Sequence, residues 1–569
     1  MAPDRPRPTT PPALDAVLGL YADGPAWPEH GGDGDASLGA PVVGPAGLLD
    51  LVEARLGLAA PAVPVVERLA AWQARLEAAT TPDRFWARSL AVDAWATARL
   101  LLDWRDRLAD AGWDAGAPYS EPRLRDLAAA ERVDAELPPG PSDRAARAAR
   151  VVASDGLRGI GRVRLIDPRS HFPAGTRRLL DALEASGVAV DAVPAPPLAC
   201  GDTALGRLQR WLDEGGATEG PGDASVVVAD AGGELLAAEA LAQLLPVLED
   251  EAGGGRVAVI AQGGDTHVLD AALALAGQPR AGLGVPSPFR GALQLLPLAF
   301  QTAWAPLDVQ ALLDLILASP GPLAGFAQAR LADALARAPS IRSPAWREAW
   351  TAIEERLLGA ATTPSETRAA RARLERWRAW GEPHGADPES GMPLPDALAI
   401  CDRVAAWAIA RLQLTHDPLY GATARVATDA RRALLRLGRE RLPRALVERV
   451  VDQALHQGDA DPAAVAEAAR RATLAHPGAL WGPVDTVVWW NLRDTGERAD
   501  RAPWTRSERA ELARFGAPVD PDTRSAAALA AAWERAVRHA RRRLVLVDAH
   551  AAHADGAPHP FLQRIAAAE

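Results

Sequence analysis

Three groupings of side chains in this 569-residue chain have types and spacings that could do chemistry. Gly232 and Gly233 stand between an apolar run and a helix-forming stretch, where backbone amides and a helix N-terminus can hold an anion. Asp230 in front of them and the lack of a lysine behind favour the alternative, a tight strand-to-helix turn. His550, His553 and His559, with Asp555, lie close enough in sequence for a metal site, against which stands a solvated, proline-containing tail. The third grouping is tryptophan with arginine. Eighteen tryptophans accompany only three tyrosines, and many adjoin arginine: Trp86 near Arg84 and Arg88, Trp104 before Arg105, Trp346 before Arg347, Trp377 before Arg378, and Trp504 near Arg501 and Arg506. Arginine interleaved with aromatic rings grips phosphates and stacks bases in single-strand channels. Tryptophans at helical spacing also fill cores while their arginine neighbours face water, and we read most of these pairs that way.

What is missing excludes whole mechanisms. All 62 basic residues are arginine, so there is no Walker A lysine, no Schiff base and no lysine of a PD-(D/E)XK nuclease centre. There is no His-Glu-x-x-His or Gly-x-Ser-x-Gly motif, and no isolated carboxylate pair announces a general acid and base. Cys200 and Cys401 are far apart and read as small buried residues in a reduced compartment. A formal charge of −11 argues against nucleic-acid binding by the whole surface and leaves room for a local basic groove. No stretch approaches the ~18 consecutive apolar residues of a membrane span, and the proline-rich start has no signal-peptide core; a cytoplasmic protein without membrane partners is expected.

The elements that must carry these residues follow from periodicity and punctuation. Prolines and the run Gly31 to Asp35 predict a flexible segment over 1–40. Apolar residues spaced by three and four, from Leu48 to Leu108, predict a helical domain over 41–150. In 151–221 a small α/β unit is expected: strand Val163 to Ile166, helix Thr176 to Ser186, strand Val188 to Val193. Over 222–304 come strand Ser225 to Val228, helix Glu234 to Leu248 and strand Arg256 to Ile260, the two strands expected as neighbours in a parallel sheet. Helical periodicity then runs through 305–478, an insertion. Within 479–569 the sheet resumes with Thr486 to Trp490, helix Ser525 to Arg541 and strand Leu544 to Val547. The fold class expected is α/β, helix-rich overall, with two parallel-sheet domains and large helical insertions.

Residues 225–318 follow, in order, a pattern that resembles the second RecA-like domain of UvrD/RecB-type superfamily 1 helicases. Its parts are a strand and a helix with Glu234 and Glu239, strand Val257 to Ile260, helix Val268 to Leu273, Gly277-Gln-Pro279, Phe289 to Gln294, and Pro306-Leu-Asp308. Trp533 to Val547 is similar to that family's last motif and strand. Gly44 to Glu53, Asp103 to Asp106 and Ala111-Gly-Trp113 resemble AddB-like members, labelled PD-(D/E)XK nuclease family proteins. The resemblance covers roughly 40–560 in patches and implies that 151–221 is a first RecA-like remnant, and 222–304 with 479–569 a second RecA-like domain.

The departures from the family are chemical. Gln262, His267 and His539 stand where the helicases place arginines on ATP, and the lysine expected near His476 to Ala479 is missing. Without those cations phosphoryl transfer is not expected, because it rests on electrostatic positioning. The nuclease domain and the four cluster cysteines of AddB-like subunits are not visible either. The resemblance therefore implies a catalytically degenerate helicase-like module that binds DNA, as a duplex end or single strand. It would act beside an active helicase/nuclease subunit in double-strand-break processing and recombinational repair, with no cofactor or metal of its own. Whether the chain is itself an enzyme stays open. The DNA-contact candidates are Arg290, Gln294, Trp489, Trp490, Arg493 and Trp504, with at least one of the adjacent tryptophans in the core because neighbours on a strand face opposite sides. Two other readings compete: a nucleotide-sugar transferase of two Rossmann-like domains and a protein-binding scaffold.

Overall fold

The structure is a computed structural model that describes residues 13–29, 39–194, 196, 201–215, 222–252, 256–383, 385–456, 458, 465–492, 496–497, 503–519, 522–549 and 559–561. It is helix-rich α/β with two all-parallel sheets. The strands are β1 Leu14–Leu18, β2 Val42–Val43, β3 Ile160–Leu165, β4 Ala189–Ala192, β5 Val226–Asp230, β6 Val257–Ala261, β7 Met392–Pro393, β8 Arg441–Leu442, β9 Arg471–Leu474, β10 Val484–Trp490 and β11 Ala540–Asp548. The first sheet has the order β2-β1-β3-β4 and the second β5-β11-β10-β6-β9; β7 and β8 form a small antiparallel pair. No helix among the described residues is long and apolar enough to cross a membrane.

Strand period explains why the second sheet is buried on both sides. Side chains alternate between faces, so Val487 and Trp489 of β10 join Ala258, Ile260, Leu544 and Leu546 on one face, packed against Leu205, Leu208 and Val537. Val488 and Trp490 join Val257, Val259, Val545 and Val547 on the other, under Leu241, Leu245, Leu269 and Leu273. A near-continuous apolar run is what a parallel strand covered by helices on both faces requires. In the first sheet, Leu18, Val163 and Leu165 pack on Leu48 and Val52 of helix Pro45–Leu56, Val152 of Pro141–Asp155, and Leu179 and Leu183 of Ala174–Ala185.

Several boundaries differ from the sequence reading. The segment 1–40 is not flexible throughout: β1 is an interior strand of the first sheet, with Ala16, Val17 and Leu18 fully buried between β2 and β3. Segment 41–150 is not one domain. Its first and last helices cover the first sheet, whereas helices such as Val65–Ala79 and Ala94–Ala111 share a core with Leu296, Ala427 and Val450 of the helical insertion. β9 lies inside 305–478 yet is an edge strand of the second sheet, paired with β6. β5 and β6 are parallel but not neighbours, because β11 and β10 enter between them from the far end of the chain.

Candidate functional site at the junction of the two sheets

The connections that leave the C-terminal ends of strands in both sheets meet at one polar junction. After β1 come Leu20 and Tyr21; after β3, Ile166 and Asp167; after β6, Gln262; after β9, His476 and Gly478; after β10, Glu497. In parallel sheets this edge collects functional side chains, because every strand points its outgoing loop there.

Glu497 is the hub. Its Oε1 accepts the Tyr21 hydroxyl at 3.3 Å, and its Oε2 accepts Gln262 Nε2 at 2.9 Å and faces His476 Nε2 at 3.1 Å. The tautomer of His476 follows from its other nitrogen: Nδ1 accepts the Gly478 amide at 2.9 Å, so the ring proton sits on Nε2 and is donated to Glu497. His559 obeys the same rule, with Nδ1 accepting the Phe561 amide and Nε2 left to donate to Gln262 Oε1 at 3.1 Å. Burial alone would push the Glu497 carboxyl up; the hydrogen bonds from His476, Gln262 and Tyr21 outweigh it and hold the group below its usual range. Burial, then the neighbouring carboxylate, raises the Tyr21 hydroxyl, which stays protonated.

Tyr21 also stacks on His476, ring centroids 3.7 Å apart and nearly parallel at 7°. Glycine at 478 permits that approach: a Cβ there would lie 2.3 Å from Tyr21 Cδ2. Further along the same seam, Arg535 of helix Asp522–Arg538 donates to Asp167 Oδ1 at 2.6 Å, to Ile166 O at 3.2 Å and to Gly478 O, while Asp167 Oδ2 accepts the Leu20 amide at 2.7 Å. Both charges of this pair are buried, with side chains 9% and 1% exposed. Removing one partner would strand the other, at a cost of about 3 to 5 kcal/mol. Trp27 extends the seam: its amide donates to Ala479 O at 3.0 Å, its carbonyl accepts the Trp481 amide at 2.8 Å, and Arg256 lies over its ring.

Among the described residues the junction offers a carboxylate with a correctly oriented histidine, and the hydroxyl that meets them is the raised phenol of Tyr21. Arg535, the cation that reaches it, is committed to Asp167. No group of His, Cys, Asp and Glu among the described residues could hold a metal.

Of the candidates singled out from sequence, Gln262 and His559 belong to this network and the others do not. His267 is exposed at the start of helix His267–Leu275, its amide held by Asp265. His539 is a correction to the ATP-site reading: it precedes β11, and its carbonyl accepts the amide of Val484, the first residue of β10, so it sits at the opposite edge of the sheet from Gln262. Trp489 and Trp490 are a second correction, since both are core residues on opposite faces of β10, 0% and 1% exposed. Trp504, also buried, packs edge-on against Trp104 with Arg123 above it, and cannot stack a base. Gln294 holds its own turn through Pro288 O at 2.7 Å, with the half-buried Arg290 beside it. Arg493 lies outside the described residues, as do Cys200, His550, His553 and Asp555. His559 is not in a solvated tail: it is 1% exposed, between Trp489 and Trp533. Of the arginines beside tryptophans, Arg88, Arg347 and Arg506 are exposed next to buried rings, as read, whereas Arg105 is buried in ion pairs with Glu131 and Asp143. Gly232 and Gly233 lead from β5 into helix Glu234–Glu251 as the tight turn, with Gly233 N donating to Ala231 O.

Tyr21, Asp167, Glu497 and Arg535 were not singled out from sequence, and each has only an ordinary local context. No protein-family model matches the chain, and no curated protein matches it.

Proposed function

We propose that this chain is a non-hydrolysing, AddB-like and helicase-like module that guides DNA beside an active motor and nuclease during double-strand-break processing. The observation that carries the reading is the closed junction. A helicase drives its motor by closing two RecA-like domains on a nucleotide through cations aimed at the phosphates. Here Glu497, held ionised, occupies the junction, Tyr21 and His476 are stacked across it, and Arg535 is spent on Asp167. A triphosphate would meet a carboxylate and a buried lock, so the module holds its shape without nucleotide.

With the tryptophans in the core, DNA contact falls to arginine and to phosphates. Helix Pro364–Gly381 presents Arg368, Arg371, Arg373 and Arg376, all exposed and none ion-paired among the described residues, against the acids Glu366 and Glu375. Arg290 and Arg493 remain contact proposals within this reading.

Anisotropy of a labelled forked duplex with a single-stranded tail, titrated from low to physiological salt, tests it. Tight, salt-sensitive binding without ATP hydrolysis is expected. Replacing the four helix arginines by glutamine should lower the slope of log affinity against log salt by about 0.7 to 0.9 for each phosphate contact removed. Absence of binding at low salt, or an unchanged slope, refutes the DNA-guiding role of this surface.

A further inference from the structure

The helical part of the molecule holds a cavity of about 520 Å³ among helix Leu295–Gln301, the end of helix Pro364–Gly381 and the start of helix Leu394–Thr415. Small-molecule sites span roughly 300 to 1,000 Å³. Its apolar lining includes Trp380, Met392 and Ile400, all buried.

Five charged side chains also line it, and among the described residues none pairs with another. Arg403 is half-buried, its Nη1 donating to the Ala379 carbonyl and its guanidinium 5.5 Å from the Trp380 ring centroid, with no carboxylate partner. Burial, with no charge to offset it, lowers its pKa. Arg441 gives Nε to Ser390 O at 2.8 Å and Nη2 to Gly391 O at 2.6 Å, again without a carboxylate. The remaining charges, Glu382, Asp387 and Asp396, are exposed carboxylates; Asp387 accepts the Glu389 amide, and none is ion-paired. Elsewhere in this chain buried arginines are matched with acids: Arg68 with Asp106, Arg471 with Glu249, Arg535 with Asp167. A guanidinium left with carbonyls beside a cavity still has charge-assisted donors to give, while three unpaired carboxylates would repel a polyanion from the same space.

We propose that this cavity binds a small zwitterion with an apolar body, of the free amino acid or short peptide class. Its carboxylate meets Arg403 and Arg441, its ammonium group the exposed acids, and its side chains lie on Trp380, Met392 and Ile400. The site is separate from the sheet junction and independent of the DNA reading.

Calorimetric titration of the full chain with the dipeptide phenylalanyl-phenylalanine, its C-terminal amide and its N-acetyl derivative tests the assignment. The free dipeptide should bind saturably, and each blocked form about tenfold more weakly, since a charged hydrogen bond is lost in each case. Arg403→Gln should bring acid and amide to within about twofold, and Asp396→Asn should narrow the gap for the N-acetyl form. Because Arg403 also holds the Ala379 carbonyl and Arg441 those of Ser390 and Gly391, both variants are titrated well below their own thermal midpoints, where Arg441→Gln should narrow the same acid–amide gap. No saturable binding of the free dipeptide, equal affinity for the amide, or undiminished discrimination in both arginine variants overturns the proposal.

Discussion

At His539 the fold suppresses a charge that the unfolded chain would carry. Burial first, then the adjacent Arg535 and Arg538 guanidinium groups, lowers its pKa to about 3 from the ordinary 6.5. The native imidazole therefore stays neutral while the unfolded one takes up a proton below about 6.5, so this contribution to stability is complete above that pH and declines as pH falls toward 3. Glu497 acts in the same direction but lower down, because a depressed carboxyl contributes above its ordinary range and loses that contribution as pH falls through its lowered native value. Urea unfolding between pH 5 and 7 separates the two. The parent protein should lose stability toward pH 5, and His539→Gln should lose less; parallel slopes would show that the buried histidine is charged in the native state. In the junction, legibility from sequence was uneven for a physical reason. Gln262 was singled out through the helicase resemblance, as the position after strand Val257 to Ile260, whereas Asp167 and Glu497 are ordinary acids until a distant Arg535 or His476 is brought to them.

Among elements, β1 most changes the picture drawn from local pattern. Prolines on either side of Leu14–Leu18 suggest a loose segment, yet these five residues pair with β2 and β3 and complete the first sheet. Val17→Asp would bury a carboxylate at a fully buried position, and a loss of about 3 to 5 kcal/mol is expected. The same change at Ala189, exposed on the edge strand β4, should stay within about 0.5 kcal/mol. Equal effects in chemical denaturation would return β1 to the loose segment. Helix caps were more legible, since Pro344 and Pro364 each stand in the first turn of a helix, where a missing amide hydrogen costs nothing. The order of strands was not, because β5 and β6 satisfy the same local pattern whether or not β11 and β10 lie between them.

For the whole molecule, the decisive feature is that 19–29 and 166–167 from one sheet grip 476–481 and Arg535 from the other through a buried ion pair, a ring stack and backbone hydrogen bonds. Two domains held this way are expected, on the proposed reading, not to hinge about a nucleotide. Small-angle scattering with and without magnesium ATP or a non-hydrolysable analogue should give one radius of gyration; a nucleotide-dependent contraction would contradict the locked junction and the degenerate-motor reading together. The sequence by itself determined which segments are strands and which helices over most of the chain, and that its cationic side chains are arginine and not lysine, because side-chain period and residue type act locally. Only the tertiary structure decided that β1 and β9 belong to sheets, that Trp489, Trp490 and Trp504 are core, and that Tyr21, Gln262, His476, Glu497 and His559 share one hydrogen-bonded network. Local pattern says which face of an element must leave water; which distant face it meets is set by packing, and so is every charge and ring that the meeting brings into contact.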